Sequence, residues 1–168
     1  MKAKKPYVIA VLPGFTASTL LDVVKPLLKL RVMGKVRFQT KLEQYTNPRT
    51  LSKASLVIFC RNTEPKYQQS LDYLINHNIP YIYDLDDNLF EIPLDTQLGQ
   101  YHRAPERQVT LKKYIQNSSL VRVYSQPLLK KVVDLTDRAI LVTAPLDWSL
   151  ITPTTQRESQ EKPIRIVY

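Results

Sequence analysis

Apolar positions along this 168-residue chain fall into short continuous runs, separated by longer stretches with helical spacing. Tyr7 to Leu12 is apolar throughout, which predicts a strand buried on both faces. Pro13-Gly14 breaks it. Leu20, Val23, Val24, Leu27 and Leu28 then share one side of a predicted helix, opposite Asp22, Lys25 and Lys29, with Pro26 kinking it or delaying its start and Gly34 ending it. Val36 to Thr40 alternates with charge, the pattern of a strand near a sheet edge. Residues 43–53 are polar and contain Asn47-Pro48, which reads as a connection.

Ser55 to Arg61 is a second buried strand, closed by the polar pair Arg61-Asn62. A helix is predicted over Lys66 to Asn76, with Leu71, Leu74 and Ile75 inward and Glu64-Pro65 at its start. Tyr81, Ile82 and Tyr83 then run straight into three carboxylates, Asp84, Asp86 and Asp87. Leu94 to Arg103 has no period and is expected to be an irregular lid or substrate loop. A helix over Pro105 to Asn117, a strand over Leu120 to Tyr124, a helix over Pro127 to Leu135 and a strand over Ala139 to Val142 follow. This alternation predicts a three-layer α/β/α, Rossmann-like domain with a mainly parallel sheet, spanning residues 1–151. Residues 152–162 lack large apolar side chains and read as a linker. Residues 163–168 open a new strand, the expected start of a second, truncated or absent domain.

Length and a 43% hydrophobic content suffice for one core. No run reaches the roughly 20 apolar residues of a membrane span, and the N-terminus lacks a signal-peptide pattern, so a cytoplasmic protein is expected. Cys60 has no second cysteine to pair with and closes a strand, which fits a buried, inert thiol. One cysteine and two histidines are too few for a Cys/His metal cluster, and no metal site is expected. The net charge of +9, from 24 Lys and Arg against 15 Asp and Glu, suits an anionic partner such as a phosphorylated substrate, an anionic membrane face or nucleic acid.

A buried parallel strand that ends in acids delivers them to the carboxyl edge of the sheet, where open α/β folds bind ligands. Asp84-Leu85-Asp86-Asp87-Asn88-Leu89 resembles the first motif of haloacid-dehalogenase-type phosphatases, D-x-D-x-T-L, with Asn88 in the Thr place. That resemblance implies a magnesium-dependent phosphatase with Asp84 as nucleophile and Asp86 as acid/base, and Ser125 with Lys130 or Lys131 as later motif residues. A second resemblance covers more of the chain. Asp84 to Phe90, the earlier LVIFCRN run and the later Ser119-to-Leu128 element are together similar to the N-terminal half of GT-B glycosyltransferases of the family 4 type. Ala144-Pro145-Leu146-Asp147 stands where that family turns into its second domain.

The second resemblance implies an acceptor-binding half of a nucleotide-sugar-dependent enzyme of cell-surface glycan or glycolipid synthesis, inactive without its C-terminal donor domain. It implies Asp86 and Asp87 in the interdomain cleft as acceptor-side catalytic carboxylates. His102, in the 94–103 stretch that topology places at the same edge as Asp86, is a further acid/base candidate. Arg61, Asn62, Asn88 and Ser125 would line the cleft, and Gly14, Phe15 and Thr16 would form a loop near the donor phosphates. No cofactor is expected on this half, since the nucleotide-sugar belongs to the full-length protein. The partners implied are a glycan or lipid-linked acceptor, the missing donor domain and an anionic membrane face, without nucleic acid. Blander roles stand beside these: Asp86 or Asn88 shaping a turn, Arg61 in an ion pair with the acids, His77 at a helix C-terminus, and Trp148 packing a linker. The remaining reading is a non-catalytic α/β binding module.

Overall fold

A computed structural model describes residues 5–144. Its strands are β1 (Tyr7–Leu12), β2 (Arg37–Leu42), β3 (Leu56–Cys60), β4 (Tyr81–Leu85), β5 (Leu120–Val123) and β6 (Ala139–Leu141). All pair in parallel, in the order β2-β1-β3-β4-β5-β6. The helices are α1 (Lys25–Val32), α2 (Pro48–Leu51), α3 (Gln68–Asn76), α4 (Gln97–His102), α5 (Pro105–Asn117) and α6 (Gln126–Val133). This is the three-layer, Rossmann-like arrangement the alternation predicted.

Side chains alternate between the two faces of the strands, so each face builds its own core. On one face Ile9, Val57, Phe59, Tyr81, Tyr83 and Val121 pack beneath Leu51 of α2, Leu71 and Leu74 of α3, Leu111 and Ile115 of α5, and Leu128 of α6. On the other, Val8, Ala10, Leu12, Ile58 and Cys60 pack beneath Val23, Val24 and Leu27. Aromatic rings pin the centre of the first face. Tyr83 stacks on Tyr114 at 5.2 Å and Phe59 meets Tyr114 edge-on at 4.8 Å. Burying two tyrosines requires partners for their hydroxyls, and Tyr81 donates to Tyr114 O at 2.7 Å while Tyr83 donates to Asn62 O at 3.0 Å.

Three local expectations change. The first helix begins as a π-helical turn over Thr19–Val24, and Pro26 sits in the first turn of α1, where its missing N–H is harmless. The wider turn rotates the side chains relative to an ideal helix. Asp22, expected outward, is buried, while Leu20 and Leu28 are each 40% exposed. Residues 43–53 are a short 3-10 turn, Glu43–Tyr45, followed by α2, whose first turn is capped by Asn47 accepting from Thr50 N. The stretch expected to be irregular contains α4, capped by Thr96 accepting from Gly99 N. Gly99 is required there: a Cβ would lie 1.8 Å from Pro93 O.

The linker and terminal strand expected over residues 152–162 and 163–168, the turn at Pro145 to Asp147, and Trp148 lie outside the described residues. Among the described residues no helix is long and apolar enough to cross a membrane. Ile115 is fully buried between sheet and α5, whereas Val109 on the same helix is 65% exposed. Ile115→Ala is expected to cost about 3 kcal/mol and lower Tm by roughly 10 °C, and Val109→Ala to leave Tm nearly unchanged, as read by thermal unfolding.

Candidate active site at the strand ends

Strand order reverses between β1 and β3, so the loops leaving their carboxyl ends diverge and open a crevice. Arg61 leaves β3 in a left-handed backbone conformation, φ 55°, which a side chain with a Cβ adopts at a cost. Its amide closes the ladder to Asp84 O at 3.0 Å. Its guanidinium then ties three segments together: Nε lies 3.2 Å from Asp86 Oδ1, Nη1 donates to Asp87 Oδ2 at 2.7 Å, and Nη2 donates to Thr16 Oγ1 at 2.9 Å.

The crevice is a cavity of about 490 Å³. It is lined by the polar residues Thr16, Arg61, Asp87 and Asn88 from the strand-end loops, by the apolar Leu89, Ile92 and Leu98, by Tyr101 and His102 of α4, and by Glu43 and Glu64. Glu64 holds α4 and α5 in place, accepting from Arg107 Nη2 at 2.6 Å and Tyr101 OH at 3.2 Å, while the Arg107 guanidinium lies 3.5 Å from the Tyr101 ring centroid. Burial alone would raise the Glu64 pKa, but the Arg107 hydrogen bond and charge bring it below the usual carboxylate range. Glu43 goes the other way: desolvation raises it, despite the hydrogen bond it accepts from Asn62 Nδ2 at 2.6 Å. The His102 pKa is lowered, by burial and by the charges of Arg107 and Arg61, which favours the neutral imidazole; its shielded Nδ1 has no hydrogen-bond partner among the described residues.

Behind this cavity lies a second charge cluster, on the face of β4 opposite the aromatic core. Asp84 is fully buried and directly opposite Arg122 in the β4/β5 register. Arg122 Nε lies 3.2 Å from Asp84 Oδ1, Tyr124 OH donates to the same oxygen at 3.0 Å, and Arg122 Nη2 donates to Asp22 O at 3.1 Å. Desolvation pushes the Asp84 carboxyl up to about 6 even though Arg122 and Tyr124 pull it down. Burial likewise raises the Cys60 thiol, 3.8 Å from Asp84, in keeping with an inert cysteine.

The expected site residues therefore separate. Arg61, Asp87, Asn88, Thr16 and His102 converge on the cavity, and Asp86 stands behind them, paired with Arg61. Asn62, expected to line the cleft, is fully buried instead, its Oδ1 accepting from Cys60 N at 2.9 Å and its amide held by Glu43. Ser125 is an exposed N-cap of α6, accepting from Leu128 N, away from the cavity. Phe15 is 59% exposed and Gly14 serves as a carbonyl acceptor for Thr19, while the Thr16 and Thr19 amides are taken by each other's hydroxyls. Asn88 shapes the turn after β4, accepting from Phe90 N at 3.2 Å, and His77 caps the C-terminus of α3 against Tyr73 O.

Glu43, Glu64, Tyr101 and Arg122 were not anticipated. Arg122 carried a legible signal as the lone charge within an apolar strand; the others depend on how loops pack.

Arg61→Ala is expected to cost about 2 kcal/mol, since it strips Asp86 of its cation. Arg61→Gly should be about 1 kcal/mol less damaging because glycine relieves the positive φ, a difference measurable by urea unfolding. For Asp84, a pKa raised on folding means the folded state holds the proton more tightly. Its ionisation therefore weakens the fold as pH climbs from about 4, the unfolded value, to about 6. Asp84→Asn should flatten stability over that window, and Arg122→Gln should move the Asp84 carboxyl signal to a still higher titration midpoint in carbon-13 NMR. Compared with models of known families and with curated proteins, the chain matches none.

Proposed function

We propose that this domain is the acceptor-binding half of a GT-B-like, nucleotide-sugar-dependent glycosyltransferase acting on a glycan or glycolipid. The observation that carries the reading is the charge balance of the cavity. Among the described residues its one lining guanidinium, Arg61, is already engaged by Asp86 and Asp87, and Glu64 is engaged by Arg107. The carboxylates of Asp87 and Glu43 line the cavity beside the Tyr101 ring and His102, whose lowered pKa favours the neutral ring. Such a lining favours the hydroxyls and apolar ring faces of a sugar over the oxygens of a phosphate. The inward-turned amides of the Thr16 loop likewise speak for an acceptor pocket rather than a phosphate cradle.

In this reading Asp87, 60% exposed, or the neutral His102 imidazole accepts the proton of the attacking acceptor hydroxyl, and Arg61 fixes the carboxylate's orientation. Asp86 is a positioning residue, acting through Arg61. The phosphatase alternative asks for an open Asp84 and for carboxylates free to hold a cation. Asp84 is instead fully buried against Arg122 and Tyr124, and among the described residues no three His, Cys, Asp or Glu are arranged to hold a metal.

Saturation-transfer NMR of the chain against a panel of oligosaccharides and glycolipid headgroups should detect binding, without comparable binding of nucleotide-sugars. His102→Ala and Asp87→Ala should each weaken it roughly tenfold, about 1.4 kcal/mol, and Ser125→Ala should not. Magnesium-dependent hydrolysis of a phosphate ester, lost in Asp84→Asn, would overturn the reading.

A further inference from the structure

From Val23 to Leu42 the chain carries six cations, Lys25, Lys29, Arg31, Lys35, Arg37 and Lys41, and no acid. Lys29, Arg31 and Lys35 of this run lie beside apolar side chains that the fold leaves outside, whereas Arg37 and Lys41 belong to β2 and lie against Tyr7 and the α2 side of the sheet. Leu27 turns inward from α1 to the sheet, whereas Leu28, Leu30, Val32 and Met33 are 40%, 39%, 87% and 58% exposed. Leu28 and Val32, four residues apart, form a ridge on the solvent side of the helix. Lys29 and Arg31 lie among them, both exposed.

A helix of a soluble domain ordinarily presents polar residues to water, and a cluster of exposed large apolar groups marks an interaction surface. Apolar side chains interspersed with lysine and arginine, without acids, match the boundary between anionic headgroups and acyl chains. A nucleic-acid surface needs the cations but not an exposed Val and Met.

We infer that α1 and the turn that follows it are a peripheral membrane-docking surface for anionic lipid. The docking surface stands on the helix itself and does not rest on the acceptor-cavity reading.

The test is co-sedimentation of the full 168-residue chain with vesicles of phosphatidylglycerol mixed into phosphatidylcholine, against vesicles of phosphatidylcholine alone. Binding to the anionic vesicles, weakened by added salt, is expected. Lys29→Gln, Arg31→Gln and Lys35→Gln together should reduce partitioning roughly a hundredfold, about fivefold per charge. Val32→Glu with Met33→Glu should abolish it, with unchanged circular dichroism because these side chains are exposed. Equal binding to neutral vesicles, no binding to either, preferential capture of single-stranded or duplex nucleic acid, or a dimer that Val32→Glu dissolves would each overturn the inference. Oligosaccharide binding in solution separates the two proposals: if it persists while vesicle binding is absent, the docking surface is wrong and the acceptor cavity stands.

Discussion

One guanidinium holds the functional edge of this protein together. Arg61 is the first residue beyond β3, and from there it reaches Asp86 and Asp87 beyond β4 and Thr16 beyond β1. Parallel strands have no tight turns to fix their carboxyl ends relative to one another, so the loops that leave them need cross-links of their own. Arg61 supplies them from a left-handed backbone conformation, a local strain that the surrounding contacts maintain. The same contacts fix the sign and availability of charge in the cavity, because the cation that faces the ligand is already neutralised by two carboxylates.

Three aspartates within four residues meet three different environments. Asp84, the last pair partner of β3 in β4, points into the sheet's second face and is dehydrated between Arg122, Tyr124 and Cys60. Asp86 is nearly buried against Arg61, and Asp87 reaches solvent at the cavity wall. Burial grades their chemistry: desolvation raises the deepest carboxyl to about 6, while the most exposed reaches solvent beside Arg61. The network around Asp84 also reaches the π-helical turn, since Arg122 donates to the Asp22 carbonyl. The first helix, the acidic strand and β5 are thereby coupled by charged groups rather than by apolar packing alone.

Much of this architecture was legible in residue order. β1 coincides with the continuous apolar run Tyr7 to Leu12, α5 with Pro105 to Asn117, and β2 falls at the sheet edge as its alternation indicated. The convergence of Arg61 with Asp87 also followed from two neighbouring strands ending in polar residues. Less legible were the elements whose signals are short. α4 spans six residues, is capped by Thr96 and needs Gly99 against Pro93, a combination with little apolar period. The π-helical turn was hidden because a one-residue widening leaves the sequence pattern nearly unchanged while rotating every side chain before Pro26. Asn62 misled for a related reason, since a polar residue after a strand faces the cleft or the interior according to the backbone angles of the residue before it, here the left-handed Arg61.

By itself the sequence determined the fold class, the positions of the strands and the delivery of an acidic segment to one edge, because hydrophobic period and strand-ending polar groups are local properties of the chain. Only the tertiary structure decided which acid is buried, which is paired and which faces the cavity. Those outcomes depend on contacts between residues 25 to 100 positions apart, such as Arg61 with Asp86 and Arg122 with the Asp22 carbonyl, and these follow from strand order and register rather than from any neighbourhood in the chain.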